Sequence, residues 1–506
     1  ERTSSDRDMK IPLRRCAFLI LALGSSASPR SAAGAEAPGR PEVVARGGAR
    51  RQAPEGTSAA LERSISEGIG RIEVSVRLDR EGRHLVSAGH DAGSAFARRF
   101  AGAKALTLAE ALTLAKGRAK LHVVVAAGCV DPAGLIREIR DSAMERDVLV
   151  VGPIDVLRTL RATPGGGHIA AAPRWKPTDG EDALADFRPA AVQLAANDAT
   201  ADRCRAFHAR AIPVIAESEG DDDRPELWDR LLSSGADRIV TDFPEVVESR
   251  LIRRRLGVPR VRISLHRGGS QYAPENTLPA LEEATRLGAD LIEFDIRTTR
   301  DGVPFLLHDD RLDRTTTGRG LIRDQGSVEV ASLDAGAWFG RPFAGTKVPS
   351  LDAFLRSVGL GIELYVDAKD IAPEALAAAL RGHGLIDRAI VYQQPDYLAR
   401  LKSIEPSLRR MPPLRNPSQL DELADRLAPA AFDVSWSILS KPLIDRCHAR
   451  GIRVYSDALG WHESERSYRF AIEAGIDVIQ TDHPLRILRT LERMATEPPR
   501  LERPRP

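Results

Sequence analysis

The sequence predicts an α/β protein made of two tandem (β/α)8 barrels, the first of them degenerate. Three observations lead there. The chain of 506 residues repeats itself over a distance of more than 200 residues. Strand-like and helix-like segments alternate through the second copy, as in a parallel sheet with crossover helices. Unusual polar residues of that copy fall at successive strand ends, the face on which a barrel carries its chemistry.

The repeat comes first, because it sets the domain count. Ala53-Pro54-Glu55-Gly56-Thr57 stands against Ala273-Pro274-Glu275-Asn276-Thr277, an offset of 220 that holds without a gap from Ala53 to Gly82. Further on, Thr241-Asp242-Phe243-Pro244 matches Thr481-Asp482-His483-Pro484 at an offset of 240. The growth in offset marks an insertion in the second copy. A period this long is a duplicated domain, not a solenoid. Copy one covers 41–250 and copy two 258–493. The seam 250–255 (RLIRRR) reads as a solvated helix end, and the Pro- and Arg-rich 494–506 as a disordered tail.

In copy two, strand-like runs lie at 261–265, 291–296, 304–307, 362–366, 389–392, 408–411, 431–434, 453–456 and 477–480. Helical patterns lie at 278–287, 351–358, 373–381, 396–404, 417–427, 441–450 and 463–474. Eight or nine strands in about 230 residues favour a closed barrel over an open sheet. No Gly-rich dinucleotide loop follows the first strand.

Composition excludes other classes. Hydrophobic residues are 42% and charged residues 28%, ordinary for a globular chain and wrong for a disordered or polytopic membrane protein. The formal charge of +2 gives no field for nucleic acid, so no nucleic-acid partner is expected. Four cysteines are no disulfide framework. Residues 9–35 read as a signal peptide: Lys10, Arg14 and Arg15, the apolar run 16–24 (CAFLILALG), then Ala33-Gly34-Ala35. Export to the periplasm or the extracellular space is the expectation.

The polar residues of copy two begin at the first strand end, Leu265-His266-Arg267-Gly268-Gly269. Glu293 and Asp295 are two apart on the second strand, so both point to one side. The third run ends in His308-Asp309-Asp310, and the fourth carries Asp367-Ala368-Lys369. Carboxylates facing into one mouth repel unless a cation or proton lies between them. Without a Cys cluster they suit a hard divalent ion, Ca²⁺ or Mg²⁺. Free histidine is the side chain whose charge changes near neutrality, so His266 and His308 suit an acid–base pair, while Arg267 and Lys369 supply charge for a phosphate. Each motif alone also has a plain structural use, Glu275-Asn276-Thr277 as a helix N-cap with Thr277 before the apolar run, and Asp309 and Asp310 as turn caps. Their convergence on successive strand ends is what points to a site.

These residues make copy two resemble the glycerophosphodiester phosphodiesterase family. The matching segments are HRGGSQYAPENT, GADLIEFDIRTTRDGVPFLLHDDRLDRTTTGRG, SLDAGAWFG, FAGTKVPSLDAFL, VDAK and AGIDVIQTDHP. The resemblance implies a TIM barrel of the phosphodiesterase type, with a divalent cation, that cleaves glycerophosphodiesters to an alcohol and glycerol 3-phosphate. It implies His266 and His308 as acid and base in unassigned order, Arg267 as a phosphate contact, and Glu293 and Asp295 as metal ligands. The family's third carboxylate is usually the Glu of an E-x-K; here the position holds Asp367. Glu363 lies on the same face one strand repeat deeper, which favours Asp367. The family's W-T-x-N is Tyr455-Ser456-Asp457-Ala458 here, a departure that touches the substrate pocket. The segment 311–346 sits where the family carries an insertion; its Trp338 and Phe339 either line the mouth or anchor the loop.

Copy one serves as an internal control. With one gap, Ala45-Arg46-Gly47-Gly48 aligns with His266-Arg267-Gly268-Gly269, so the first histidine becomes Ala45. Asn276, Asp295, Asp367 and Lys369 become Gly56, Ser75, Val124 and Ala126, while Glu73 and Arg46 persist; His90-Asp91 matches His308-Asp309 only with a two-residue shift. Copy one therefore reads as non-catalytic. Packing against copy two, association with the cell envelope, and ligand binding without turnover stay open for it. For the whole chain, the alternatives to an exported, metal-dependent diesterase acting on small-molecule glycerophosphodiesters are a scaffold with both copies inactive and a phospholipid or sphingolipid phosphodiesterase. Oligomeric state is not written in the sequence.

Overall fold

The computed structural model describes residues 40–87, 105–180, 184–218 and 223–497. The expected leader at 9–35 and the pair His90-Asp91 lie outside the described residues. Among the described residues no helix is long and apolar enough to cross a membrane. Cys129, Cys204 and Cys447 are free thiols.

The first sheet contains β1 (Glu42–Arg46), β2 (Arg71–Leu78), β3 (His84–Ser87), β4 (Lys120–Val124), β5 (Val148–Gly152), β6 (Ala170–Pro173), β7 (Val192–Ala195), β8 (Val214–Glu217) and β9 (Arg238–Thr241). Their order is β6-β5-β4-β2-β1-β9-β8-β7, with β3 as a hairpin on β2. A parallel bridge between Arg174 and Gln193 links the two ends, so the sheet curls into an eight-stranded barrel.

The second sheet repeats the plan with β10 (Arg262–Leu265), β11 (Leu291–Thr298), β12 (Pro304–Leu306), β13 (Glu363–Asp367), β14 (Ala389–Tyr392), β15 (Arg409–Met411), β16 (Pro413–Leu414), β17 (Ala431–Val434), β18 (Arg453–Asp457) and β19 (Val478–Thr481). β15 pairs with β14, and β16 with β17. Pro412 separates the two pieces; without an N–H it cannot continue the ladder. One interrupted strand thus joins the ends of the ring.

Two sequence expectations change here. The run 304–307 is not a barrel strand: β12 lies antiparallel on β11, with Ile296 opposite Leu306. The connection 299–303 forms a hairpin, whereas a parallel crossover needs about a dozen residues or more. The segment from 494 is not all tail: the last helix, which buries Leu485, Leu488 and Leu491, runs over Pro484–Thr496. Residues 498–506 lie outside the described residues. The seam 250–255 is part of a helix, Pro244–Leu256.

Strand alternation sends one set of side chains inward and the other toward the helices. The inward layer is aliphatic in the first barrel, with Val44, Val124, Val151 and Ile215. In the second it is bulkier, with Tyr365, Met411 and Tyr455. Thr57 and Thr277 cap equivalent helices, each accepting from an amide three residues on at 3.4 Å, a device worth about 1 kcal/mol. The insertion has a small core of its own around Phe305, Leu312, Ile322 and Val330. Within it, Trp338 stacks edge-on with Phe339, and Phe339 with Phe343, which supports anchoring of the loop.

The barrels share a core. Val43, Trp228, Val246, Val247 and Ile252 of the first pack into the main cluster of the second. The polar contacts are reciprocal: Arg51 meets Glu283 at 2.7 Å, and Arg63 donates to Gln271 at 3.0 Å. Arg51 and Gln271 are equivalent by the offset of 220, as are Arg63 and Glu283. Each barrel uses the same patch against the other, as across an isologous dimer interface.

Candidate active site

At the end of β10 the chain turns sharply. Arg267, Gly268 and Gly269 all have positive φ (50°, 80° and 96°), as does Asn276 (58°). A β-carbon on Gly268 would come within 2.9 Å of Ala280, so only glycine lets this loop rest on the helix below. Two non-glycine residues in the left-handed region store on the order of 1 kcal/mol or more each, the sort of strain concentrated at functional loops. The turn brings the Arg267 amide to Glu293 (2.7 Å) and the Arg267 carbonyl to the Asn276 amide (3.0 Å).

β11 carries Glu293 and Asp295, both buried, and β13 sets Asp367 directly beside Asp295. One oxygen from each of the three lies within 4.8 Å of the others. Glu363, the deeper alternative, is instead paired with Arg262 (2.9 Å) and Arg409 (2.8 Å). Asn276 fixes Asp295 from two sides, donating from Nδ2 at 2.8 Å and accepting the Asp295 amide at 3.0 Å.

Electrostatics reflect crowding of like charge. Burial, then the charges of Asp295 and Asp367, push the Glu293 carboxyl well above the carboxylate range. Burial and Asp295 push Asp367 up to about 6. Asp295 is held low despite its burial, because Lys369 and His308 supply positive charge and Asn276 a hydrogen bond. Lys369 lies 3.1 Å from Asp295 and also contacts Asp367. Three oxygen donors with too few protons or cations among them fit a hard divalent cation.

The histidines are each oriented through Nδ1. His266 faces Asp482 at 3.0 Å, and Ser270 donates to the same carboxylate at 2.7 Å. His308 faces Asp309 at 2.7 Å, and Arg314 holds Asp309 at 2.7 Å. A carboxylate at Nδ1 leaves Nε2 as the free nitrogen in both rings. Arg267 donates to Glu275 at 2.8 Å and lies 3.7 Å from Asp295; its Nε makes no hydrogen bond.

Several contributors are absent from the sequence reading. Asp482 and Ser270 orient His266; the Thr-Asp-x-Pro repeat was a visible sign of Asp482, but not of its partner. Asn276 and Glu275 read as cap residues, yet they fix Asp295 and bind both Arg267 and Arg314. Across the mouth, Asp433 meets Arg415 at 2.9 Å. Asp457 is driven well above the carboxylate range by burial and by Asp433.

Copy one corrects the gapped alignment. Ala45 pairs with Thr241 as Leu265 pairs with Thr481. Arg46 therefore occupies the position of His266, and it meets Asp242 at 3.2 Å as His266 meets Asp482. Gly47 and Gly48 (φ 61° and 83°) follow as Arg267 and Gly268 do. The matching Arg-Gly-Gly letters invited the gap, but sheet register removes it: Arg267 has become Gly47. Val124 pairs with Ser75 as Asp367 pairs with Asp295. Arg46 also lies 3.8 Å from Glu73 and 3.6 Å from Glu217.

Comparison with known proteins places the second barrel in a known family. The profile of the glycerophosphoryl diester phosphodiesterase family matches residues 266–486. A glycerophosphodiester phosphodiesterase of Caldanaerobacter subterraneus is 31% identical over 234 residues, covering 43% of this chain and 93% of that protein. One from Bacillus subtilis is 36% identical over 146 residues, covering 26% and 50%. The crystal structure of a glycerophosphodiester phosphodiesterase from Agrobacterium tumefaciens is similar at 30% identity, covering 45% of this chain and 99% of that one, with a TM-score of 0.43.

Proposed function

Because the chain belongs to the glycerophosphodiester phosphodiesterase family, we propose that its second barrel hydrolyses small glycerophosphodiesters to an alcohol and glycerol 3-phosphate, with Ca²⁺ or Mg²⁺, outside the cytoplasm. The observation that carries the reading is the convergence of two carboxylate-backed histidines with three clustered carboxylates on one barrel mouth.

Glu293, Asp295 and Asp367 would hold the cation, which when bound supplies Lewis-acid polarisation of a phosphate oxygen. Arg267 and Lys369 bear on the same phosphate and offset its negative charge as the phosphorane develops. Asp482 and Asp309 fix the two imidazoles so that each presents Nε2 to the mouth. One of His266 and His308 takes the proton of the nucleophile, water or a substrate hydroxyl. The other protonates the departing alkoxide, with a gain typical of positioned acids and bases, about 10²–10⁴-fold.

The test is release of glycerol 3-phosphate from glycerophosphocholine and glycerophosphoethanolamine by the purified protein, with Ca²⁺, Mg²⁺ or EDTA. No product with either metal overturns the reading, and a cyclic phosphate product replaces it with the lipid-diesterase alternative. Export rests on the sequence of residues 9–35. Amino-terminal sequencing of protein recovered from expressing cells tests it; cleavage after Ala35 is expected.

A further inference from the structure

Among the described residues the first barrel shows no carboxylate cluster like that of the second, yet one of its side chains reaches the active-site loop of the second. Glu67 follows helix Ser58–Ser66, and its carboxylate is fully buried at the contact between the barrels. It accepts a hydrogen bond from Tyr272 Oη at 3.2 Å and faces His483 Nδ1 at 3.1 Å. Arg63, one turn back, lies 3.4 Å from the same carboxylate and donates to the Gln271 carbonyl at 3.0 Å. Arg489 of the second barrel donates to the Glu67 carbonyl.

Both partners of Glu67 adjoin the His266 pair. Tyr272 closes the loop that begins at His266, two residues beyond Ser270, which donates to Asp482. His483 follows Asp482 in the chain, and its Nε2 lies 3.7 Å from Glu463. Glu463 in turn accepts the Asp482 amide (2.7 Å) and the Thr481 hydroxyl (2.8 Å). Two polar paths therefore run from Glu67 to the carboxylate that orients His266. Burial would push the Glu67 carboxyl up, but the His483 hydrogen bond and the charges of Arg63 and Arg486 hold it below its ordinary value.

The duplication shows that this contact is not a general device for joining the barrels. By the offsets of 220 and 240, the equivalents of Glu67, Tyr272 and His483 are Leu287, Gln52 and Phe243. Leu287 is buried, and Phe243 packs against the shared core beneath Arg51. The brace within each Thr-Asp-x-Pro loop is kept on both sides: Asp223 receives the Asp242 amide as Glu463 receives that of Asp482. The Glu67 contact is not kept. It is charged where it meets the intact site, whereas Leu287 and Phe243 are apolar at the equivalent place, although a buried carboxylate is a costly way to hold two surfaces together.

We propose that the first barrel acts as a built-in brace for the catalytic loop of the second, with Glu67 as its positioning residue. The proposal rests on the hydrolytic reading above. It is tested in the full chain with glycerophosphocholine. Glu67→Leu installs the residue found at 287 and is expected to lower kcat about tenfold or more, as loss of supporting contacts does, with KM within about twofold. The triple variant Glu67→Leu/Tyr272→Phe/His483→Phe makes the contact apolar; it is expected to melt close to wild type and to keep the low kcat. Glu67→Gln, still able to accept from Tyr272, is expected to recover part of the rate. A folded Glu67→Leu or triple variant with wild-type kcat overturns the proposal. Hydrogen–deuterium exchange of amides 268–273 gives a readout separate from turnover. Faster exchange in Glu67→Leu is expected and unchanged exchange overturns the brace, even if wild type hydrolyses nothing and the assigned activity has itself failed.

Discussion

In the first barrel, β1 ends by delivering the Arg46 guanidinium to Asp242; in the second, the equivalent strand delivers the His266 imidazole to Asp482. The surroundings diverge accordingly. Around Arg46 stand Glu73, Glu217 and Asp242, so a fixed cation neutralises the old mouth. Around Glu293 stand Asp295 and Asp367, with Lys369 and Arg267 beside Asp295, an arrangement that favours an exchangeable ion. The frame beneath is the same, down to Thr57 and Thr277 as caps and the positive φ of Gly48 and Gly268. The difference teaches that a barrel can change the polar residues at its strand ends without losing its fold. Ligands and bases sit at strand ends, whereas stability comes from the packed layers between strands and helices.

The sharpest way to break this comparison is to remove the carboxyl group that each barrel keeps on β2 or β11. Glu293→Ala, or EDTA on the wild type, is expected to cut turnover at least about a thousandfold, since a bound cation is worth several kcal/mol in the transition state. Glu73→Ala should leave the rate of glycerol 3-phosphate release within about twofold. A large loss with Glu73→Ala would make the first barrel catalytic. His266→Ala is next, with an expected fall in kcat/KM of about 10²–10⁴-fold; activity that survived it would remove His266 from the acid–base pair.

Arg46 tests the other side. Its side chain is largely buried among three acidic side chains, so Arg46→Ala should destabilise the chain by about 3–5 kcal/mol in chemical denaturation. A change near zero would mean that Arg46 is not what neutralises the old mouth. The protonation of Glu73 sharpens the point. Burial and the neighbouring Glu217 charge push its carboxyl from 4.5 up to about 8. The folded barrel then keeps a proton that the unfolded chain releases, so stability falls as pH rises from about 4.5 to about 8. Glu73→Gln should flatten that part of a stability–pH curve by on the order of a few kcal/mol; an unchanged slope counts against a protonated Glu73. The smallest effect belongs to Asp367→Glu, which restores the family's usual residue. Calorimetry should show cation affinity changed by less than about tenfold, roughly 1.4 kcal/mol.

Much of the site was readable in the chain because it depends on short spacings. Glu293 and Asp295 share a face through the two-residue period of a strand, and Asp367 and Lys369 follow the same rule. What escaped depends on partners far away or on sheet register. Asp482 lies 216 residues from the His266 it orients. Asn276 looked like part of a helix cap, because nothing nearby reveals that a left-handed turn aims its amide at Asp295. β12 looked like a barrel strand, since alternation does not say whether a strand pairs parallel or antiparallel. Arg46 was matched to the wrong residue because identical letters outweighed the register.

The sequence by itself determined the duplication, the (β/α)8 class, the carboxylates and histidines of the second copy, and the loss of most of them from the first. These follow from local period, composition and internal repetition, which any stretch of chain carries within itself. Only the tertiary structure decided which carboxylate orients which histidine, that Arg46 replaces His266, and that Glu67 of the first barrel touches the active-site loop of the second. Those facts depend on strands and helices brought together from tens to hundreds of residues apart, and burial fixes them by making an unpartnered charge costly.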